Sequence, residues 1–203
     1  MSNQYSASGQ TEEQQETRER IIAAAYKVLA EKGYDATTLR EISREAQAAP
    51  GLIHYYFGGK DQLLVEVLKI LSDRYTQATA DLSRRVTPDQ FLEAALLQPF
   101  ARITEEPEWY RLRYELFALG LHNPMLTPGV RDLLEEGRQA ISKAVSMGQQ
   151  FREVSEAVAP LTLASLLLAV FDGLALQKIM DPEVDMNAAY QLLVQMIRGL
   201  SAD

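Results

Sequence analysis

Cysteine is absent from this chain, and histidine occurs twice, at His54 and His122. Without thiols there is no disulfide, no thiolate zinc site and no cysteine nucleophile. Neither histidine has a glutamate three positions before it, so the Glu-x-x-His pairs of a di-iron bundle are missing as well. No glycine-rich phosphate loop is present. These gaps argue against catalysis and leave no cofactor to expect. The N-terminal stretch MSNQYSASGQTEEQQ has no apolar core and does not read as a signal peptide. The most apolar run, Leu161 to Val170, is too short to span a bilayer, so no membrane partner is expected and the protein reads as cytoplasmic. Basic charge is also scarce. Lysine and arginine total 20 against 28 acidic residues, for a net charge of −8. A general nucleic-acid coat needs a broad basic surface. Residues 11–60 are not net basic either, so any claim of DNA binding has to rest on a motif.

The chain is rich in helical periodicity and has no strand signal of note. Residues 1–15 are expected to be a disordered polar leader. A first helix is expected from about Glu16 to Lys32, because Ile22, Ala25, Tyr26 and Leu29 recur at i, i+3, i+4 and i+7. Gly33 stops it. Next comes Thr38 to Phe57, TLREISREAQAAPGLIHYYF, the stretch that organises the rest. Leu39, Ile42 and Ala46 share a helical face. Thr38 and Glu41 form a capping box. Pro50 suits the first position of a second, short helix. On that helix Leu52, Ile53 and Tyr56 fall to one side and Gly51, His54 and Tyr55 to the other. Two short helices clamped by neighbours, with one free side, have the layout of a helix-turn-helix that inserts into the major groove.

After Gly58-Gly59 a fourth helix is expected from about Lys60 to Arg85. Prolines 88, 107, 128 and 160 then mark the first turns of further helices, read as 88–104, 107–121, 128–150, 160–180 and 185–201. The fold class is all-α, with about nine helices. Residues 16–62 form a helix-turn-helix domain, with the motif at 39–58, and residues 63–203 form a second helical domain.

Residues 17–68 resemble the N-terminal domain of the TetR-type repressor family. The segments TRERIIAAA, GYDATTLREIS, PGLIHYYF and GKDQLL carry the likeness. FDGLALQ at 171–177 is similar to the penultimate helix of one subgroup. The resemblance implies a homodimeric repressor that binds double-stranded DNA at a palindromic operator and is released by a small molecule held in the C-terminal domain. It implies a dimer interface through 160–180 and 185–201. It carries the DNA-facing role onto Leu39, Ala48, Ala49, Pro50, Gly51, His54, Tyr55, Tyr56 and Lys60. Lys60 is then a point charge for a phosphate, and the tyrosine hydroxyls, with Thr37 and Thr38, fix register on phosphates. Arg40 and Arg44, one turn apart, are either backbone contacts or solvated charges. Tyr56 is either core with its hydroxyl exposed or a full contact.

Two positions depart from the family pattern. Gln47 stands where the turn usually has glycine, and Ala49 where the third helix usually has a hydroxyl cap. In the second domain Phe100, Trp109, Tyr110, Arg113, Tyr114, Phe117, His122 and Phe171 are either core or the lining of a pocket for a small apolar or aromatic effector. Arg113 is expected to want Glu108, Glu115 or a ligand carboxylate beside it. Leu192, Met196 and Leu200 make a stripe that is either dimer seam or core. The competing function is a helical adaptor that binds protein through the 160–201 face and has lost specific DNA binding.

Overall fold

A computed structural model of the chain describes residues 4–82 and 84–200. Among the described residues there are nine α-helices and no strand. They are α1 (Gln4–Ala36), α2 (Leu39–Glu45), α3 (Pro50–Phe57), α4 (Lys60–Leu82), α5 (Phe91–Glu105), α6 (Pro107–His122), α7 (Thr127–Gln150), α8 (Pro160–Met180) and α9 (Met186–Gly199). A 3₁₀ turn at Pro88–Gln90 precedes α5.

Helix α1 starts ahead of the expected Glu16 and takes in residues 4–15, which were read as a disordered leader. Residues 1–3 lie outside the described residues. Glutamine and glutamate are good helix formers, and a polar segment shows no apolar period to announce its helix. Gln15 Nε2 donates to Glu19 Oε1 at 2.6 Å across one turn. The helix breaks at Gly33, where φ is 78°.

The chain divides into two compact units, 1–70 with 111–130, and 71–110 with 131–203. The division falls inside α4, α6 and α7, whereas the sequence places it near residue 62. In the first unit Ile21, Ile22, Ala25 and Leu29 of α1 are buried with Ile42 and Ala46 of α2, Ile53 and Phe57 of α3, and Leu63, Leu64, Val67 and Leu68 of α4. Leu112 and Leu116 of α6 are buried as well, so the first turns of α4 and most of α6 complete this core. Burial of such side chains contributes roughly 1.5–3 kcal/mol each. In the second unit, Leu92 and Leu96 of α5, Leu163 and Leu167 of α8, and Val194 and Ile197 of α9 are core residues. Helix α8 is 21 residues long with a window of mean hydropathy 1.6, enough by length and composition to cross a membrane. Its bounds are those expected from the sequence, and it is longer than the run from Leu161 to Val170 because the apolar character continues past Asp172 to Met180.

Candidate nucleic-acid interface and effector cavity

Helix α2 is started by Thr38. Its Oγ1 accepts from the Glu41 N–H at 3.2 Å, and Glu41 Oε2 accepts from the Thr38 N–H at 3.0 Å. This is the expected capping box. Lys32 Nζ donates to Glu41 Oε1 at 2.6 Å. That bond, with those from Thr38, holds the Glu41 carboxyl at about 2, below its ordinary 4.5. At the other end Arg20 Nε donates to the Ala46 carbonyl at 2.9 Å, closing an orphan acceptor of the helix terminus.

The turn runs through Gln47, whose φ is +50°. A non-glycine residue there costs about 1 kcal/mol. Ala49 precedes α3 in an extended conformation and makes no side-chain cap. Both sequence departures therefore sit where they were expected to weigh, and the turn still closes through the Ala48 N–H to the Ser43 carbonyl at 2.9 Å. Pro50 takes the first position of α3. Gly58, with φ +74°, ends it and donates its N–H to the His54 carbonyl.

Ile53 and Phe57 anchor α3 in the core, Leu52 and Tyr56 are half-buried, and Gly51, His54 and Tyr55 are exposed. Tyr55 stands 72% exposed and meets Tyr56 edge-on, with ring centroids 5.0 Å apart. His54 Nδ1 lies 3.3 Å from the Gly58 carbonyl. The Gly58 carbonyl can only accept, so Nδ1 is the donor in this contact. Arg40 and Arg44 are exposed. Several nearby cations are already neutralised: Lys27 by Glu45 at 2.5 Å, Lys32 by Glu41, and both Arg18 and Lys69 by Glu66.

Thr38, Arg40, Ala49, Pro50, Gly51, His54 and Tyr55 are thus exposed together, with Leu39, Ala48 and Tyr56 half-buried among them. Thr37 differs. It is 2% exposed and donates its hydroxyl to the Gly33 carbonyl at 2.6 Å, so it holds the α1–α2 corner. Lys60 is half-buried and turned inward. Its ammonium donates to the Tyr34 carbonyl and sits 3.8 Å from the Tyr34 ring centroid. Burial pulls its pKa down. A cation at a helix N-terminus is unfavourable, and the Tyr34 carbonyl and ring compensate. Tyr34 also donates its hydroxyl to Asp61 and its N–H to Glu115 Oε2 at 2.8 Å. Burial, then the bond to Asp61, push the phenol up to about 12.

The second unit contains a cavity enclosing about 690 Å³ of non-atom space, part of it open to solvent. It is lined along α5 by Phe91, Leu92, Ala95, Gln98, Pro99 and Arg102, with Ile141 and Val145 of α7, Leu163, Leu167 and Phe171 of α8, and Ile197 of α9. Pro99 lies inside α5. It has no N–H for the Ala95 carbonyl, so the helix loses one ladder bond on the cavity wall.

The expected aromatic set is not gathered here, because only Phe171 lines the cavity. Phe100 packs edge-on against Phe171 and Tyr190 at 5.9 and 5.5 Å. Trp109 and Tyr110 are buried against each other, and the Arg102 guanidinium lies 5.4 Å from the Trp109 ring. Arg113, Tyr114, Phe117 and His122 belong to the other unit. Arg113 is buried there with its guanidinium 4.5 Å from the Phe117 ring, while the Glu115 carboxylate is given to Tyr34. His122 is exposed. Sequence reasoning missed the α5 face. Its signal was a stripe at 91, 92, 95, 98, 99 and 102 that turns polar only at Gln98 and Arg102.

The profile of the tetR family of bacterial regulatory proteins matches residues 21–67. The C-terminal profile of the BetI-type transcriptional repressor matches residues 88–202. The HTH-type transcriptional regulator HbdR of Aromatoleum sp. (strain CIB) is 48% identical over 63 residues, which are 31% of this chain and 28% of that regulator. Among solved structures, a TetR transcription regulator from Haloarcula marismortui ATCC 43049 is 20% identical with a TM-score of 0.76, covering 91% of this chain and 97% of that one. A transcriptional regulator from Saccharomonospora viridis in complex with choline is 22% identical with a TM-score of 0.74, covering 90% and 96%.

Proposed function

Because the chain belongs to the tetR family of bacterial regulatory proteins, and is a DNA-binding transcriptional regulator of that family, we propose that it acts as a homodimeric repressor released from a palindromic operator by a small apolar effector. The observation that carries this reading is the orientation of α3. Ile53 and Phe57 clamp its back into the core, while His54 and Tyr55 stand free on its front.

In this reading α3 enters the major groove and its copy enters the next one, about 34 Å away. His54 meets a base edge in the groove through its remaining ring nitrogen. Tyr55, Thr38, Arg40 and Arg44 bond phosphates and set register without reading sequence. Gly51 lets the backbone approach closely. Lys60 reaches a phosphate only after leaving Tyr34, so its contribution is smaller than that of an unengaged lysine.

The partner surface is the outer side of α8 and α9. Leu166, Leu176, Met180, Leu192, Met196 and Leu200 are all exposed in the single chain. Of the most apolar window of α8 only 28% is buried. Such a patch rimmed by polar residues marks an interface, and a second copy of the same two helices closes it as a four-helix bundle. The effector occupies the α5 cavity, whose described lining is apolar apart from Gln98 and Arg102, the mix that suits an apolar ligand. The protein works without catalysis and in the cytoplasm, as befits an operator-binding regulator.

Selection from a random duplex pool, followed by affinity against salt, tests the reading. A palindrome should emerge, and log affinity should fall steeply with log salt. Tyr55→Phe should weaken binding to every sequence by about the same factor, roughly fivefold, as loss of a phosphate bond does. Absence of any enriched sequence at low salt, with and without added effector candidates, would overturn it.

A further inference from the structure

Lys27, Lys32 and Arg18 are each held by a carboxylate, that of Glu45, Glu41 and Glu66 respectively. Lys60 is held differently. Its ammonium donates to the Tyr34 carbonyl and lies over the Tyr34 ring, 3.8 Å from the centroid. Both of these partners are neutral. The ammonium also sits in the first turn of α4, where the helix dipole disfavours a positive charge. Burial lowers its pKa, against the attraction of Asp35 and Asp61.

Tyr34 is itself fixed from several sides. The α1 helix breaks at Gly33, and the Tyr34 N–H that follows donates to Glu115 Oε2 at 2.8 Å. The Tyr34 hydroxyl donates to Asp61 Oδ1, and Asn123 Nδ2 donates to the other oxygen of that carboxylate at 3.4 Å. The Tyr34 carbonyl accepts from the Thr37 N–H at 3.2 Å as well as from Lys60. The ring beneath the ammonium is therefore secured by α4 and α6 together, and all of these residues belong to the first unit. The same carbonyl ties the ammonium to the corner from which α2 starts.

We propose that Tyr34 is an autoinhibitory latch on DNA binding, which keeps Lys60 away from phosphates in the free chain and yields it only to the operator. This inference rests on the reading of the chain as an operator-binding regulator. A phosphate carries its own charge and is a stronger acceptor for an ammonium than a carbonyl and a ring. Lys60 can leave a neutral cradle for DNA, whereas Lys27, Lys32 and Arg18 would each have to leave a carboxylate. A lysine has a flexible stem and a compact point charge, so the swing needs no movement of α4. The loss of the Tyr34 contacts is subtracted from whatever the phosphate contact gains. Tyr34 thereby sets how much Lys60 adds to operator affinity.

The test is a double-variant cycle in the full chain, read as affinity for the selected palindrome against salt. In the parent, Lys60→Ala should weaken binding about twofold. In Tyr34→Leu, which removes the ring and the hydroxyl, the same change should weaken it about tenfold. The coupling of about fivefold is that of one cation–π contact. In both backgrounds Lys60→Ala should shallow the salt slope by about one per subunit, as loss of a phosphate contact does. A Tyr34 that only supported the fold would lower affinity without changing the Lys60 factor. Tyr34→Phe keeps the ring and should return the factor to about the parent value. Lysine labelled with carbon-13 at Cε reports the latch by NMR, with the Lys60 signal assigned by its loss in Lys60→Arg. That signal should be shielded by the ring in the free parent. It should lose the shielding in Tyr34→Leu and when the operator is added. An equal Lys60 factor in both backgrounds, a salt slope that Lys60→Ala leaves unchanged, or a Lys60 signal still shielded on the operator would overturn the latch while the operator reading stands. If the parent binds no duplex, both fall.

Discussion

Gly51 faces outward near the start of α3, and a methyl group added there would meet no atom within 4 Å. The fold does not require glycine at this position. Gly51→Ala should therefore raise thermal stability slightly, by about 0.5 kcal/mol, as alanine replaces glycine in a helix. If the backbone approaches DNA closely here, the same change weakens operator binding by about tenfold. Melting and binding measured on one preparation separate the two effects, and unchanged operator affinity would remove Gly51 from the interface. Glu41 is a residue of the opposite kind, placed for the fold. Its carboxyl is held at about 2 in the folded chain against an ordinary 4.5, first by Lys32 and then by Thr38. A depressed folded pKa contributes stability that is complete above the unfolded value and is lost as pH falls through the folded one. The window therefore runs from pH 4.5 down to about 2. Over that window Glu41→Gln, which keeps an acceptor for the Thr38 N–H, should lose less thermal midpoint than the parent chain. Parallel curves would show that the pair with Lys32 contributes nothing.

At the scale of the helices, the corner between α1 and α2 depends on a group far away in sequence. The Gly33 backbone takes φ +78°, and a Cβ there would lie 2.5 Å from Glu115 Oε1, whose carboxylate holds the Tyr34 N–H. Gly33→Ala should cost about 2–3 kcal/mol, part from the left-handed backbone and part from the clash. In Gly33→Ala with Glu115→Ala the clash is gone, so the double variant should lose less than the sum of the two single losses in urea unfolding. Strict additivity would show that α6 does not press on this corner. Glycine at the end of α1 was legible from the sequence, but the partner that makes it obligatory was not, because nothing local pairs residue 33 with residue 115. The same distinction runs through the molecule. Helix α3 could be read because Pro50, Gly58 and the 3.6 period are local signals, and its exposed Gly51, His54 and Tyr55 followed from helical arithmetic. Residues 4–15 were misread because a polar helix has no apolar period. The aromatic set does not gather around the α5 cavity, because aromatic content on α6 says nothing about which unit each face enters. Arg113, Tyr114, Phe117 and His122 went to the unit of the helix-turn-helix, and α5 supplied the cavity wall. Thr37 and Lys60 were placed at the DNA face by their position in the chain. Their hydroxyl and ammonium instead turned to the carbonyls of Gly33 and Tyr34, which need tertiary structure to come within reach.

For the whole molecule, the proposed palindrome couples DNA affinity to the α8–α9 surface. A chain with a net charge of −8 gains no general attraction to DNA, so a single helix-turn-helix should hold a half-site weakly. Two linked copies turn the second contact into an intramolecular event, which is worth about 100-fold or more in affinity without any new contact. Leu192 and Met196 lie one turn apart on α9, 58% and 61% exposed in the single chain, on the side turned away from the buried Leu193, Val194 and Ile197. Leu192→Glu with Met196→Glu places two like charges where the second copy would pack, and leaves the core of each chain untouched. Sedimentation should show the parent as a dimer and the variant as a monomer of unchanged helical content. The variant should then bind the full palindrome about as weakly as an isolated half-site, and its binding to the half-site should match that of the parent. A variant that becomes monomeric yet keeps palindrome affinity would mean that the two half-sites are read independently. In that case the effector would have to act within one chain, on the position of α3 relative to its own clamp, and the spacing between copies would play no part in release.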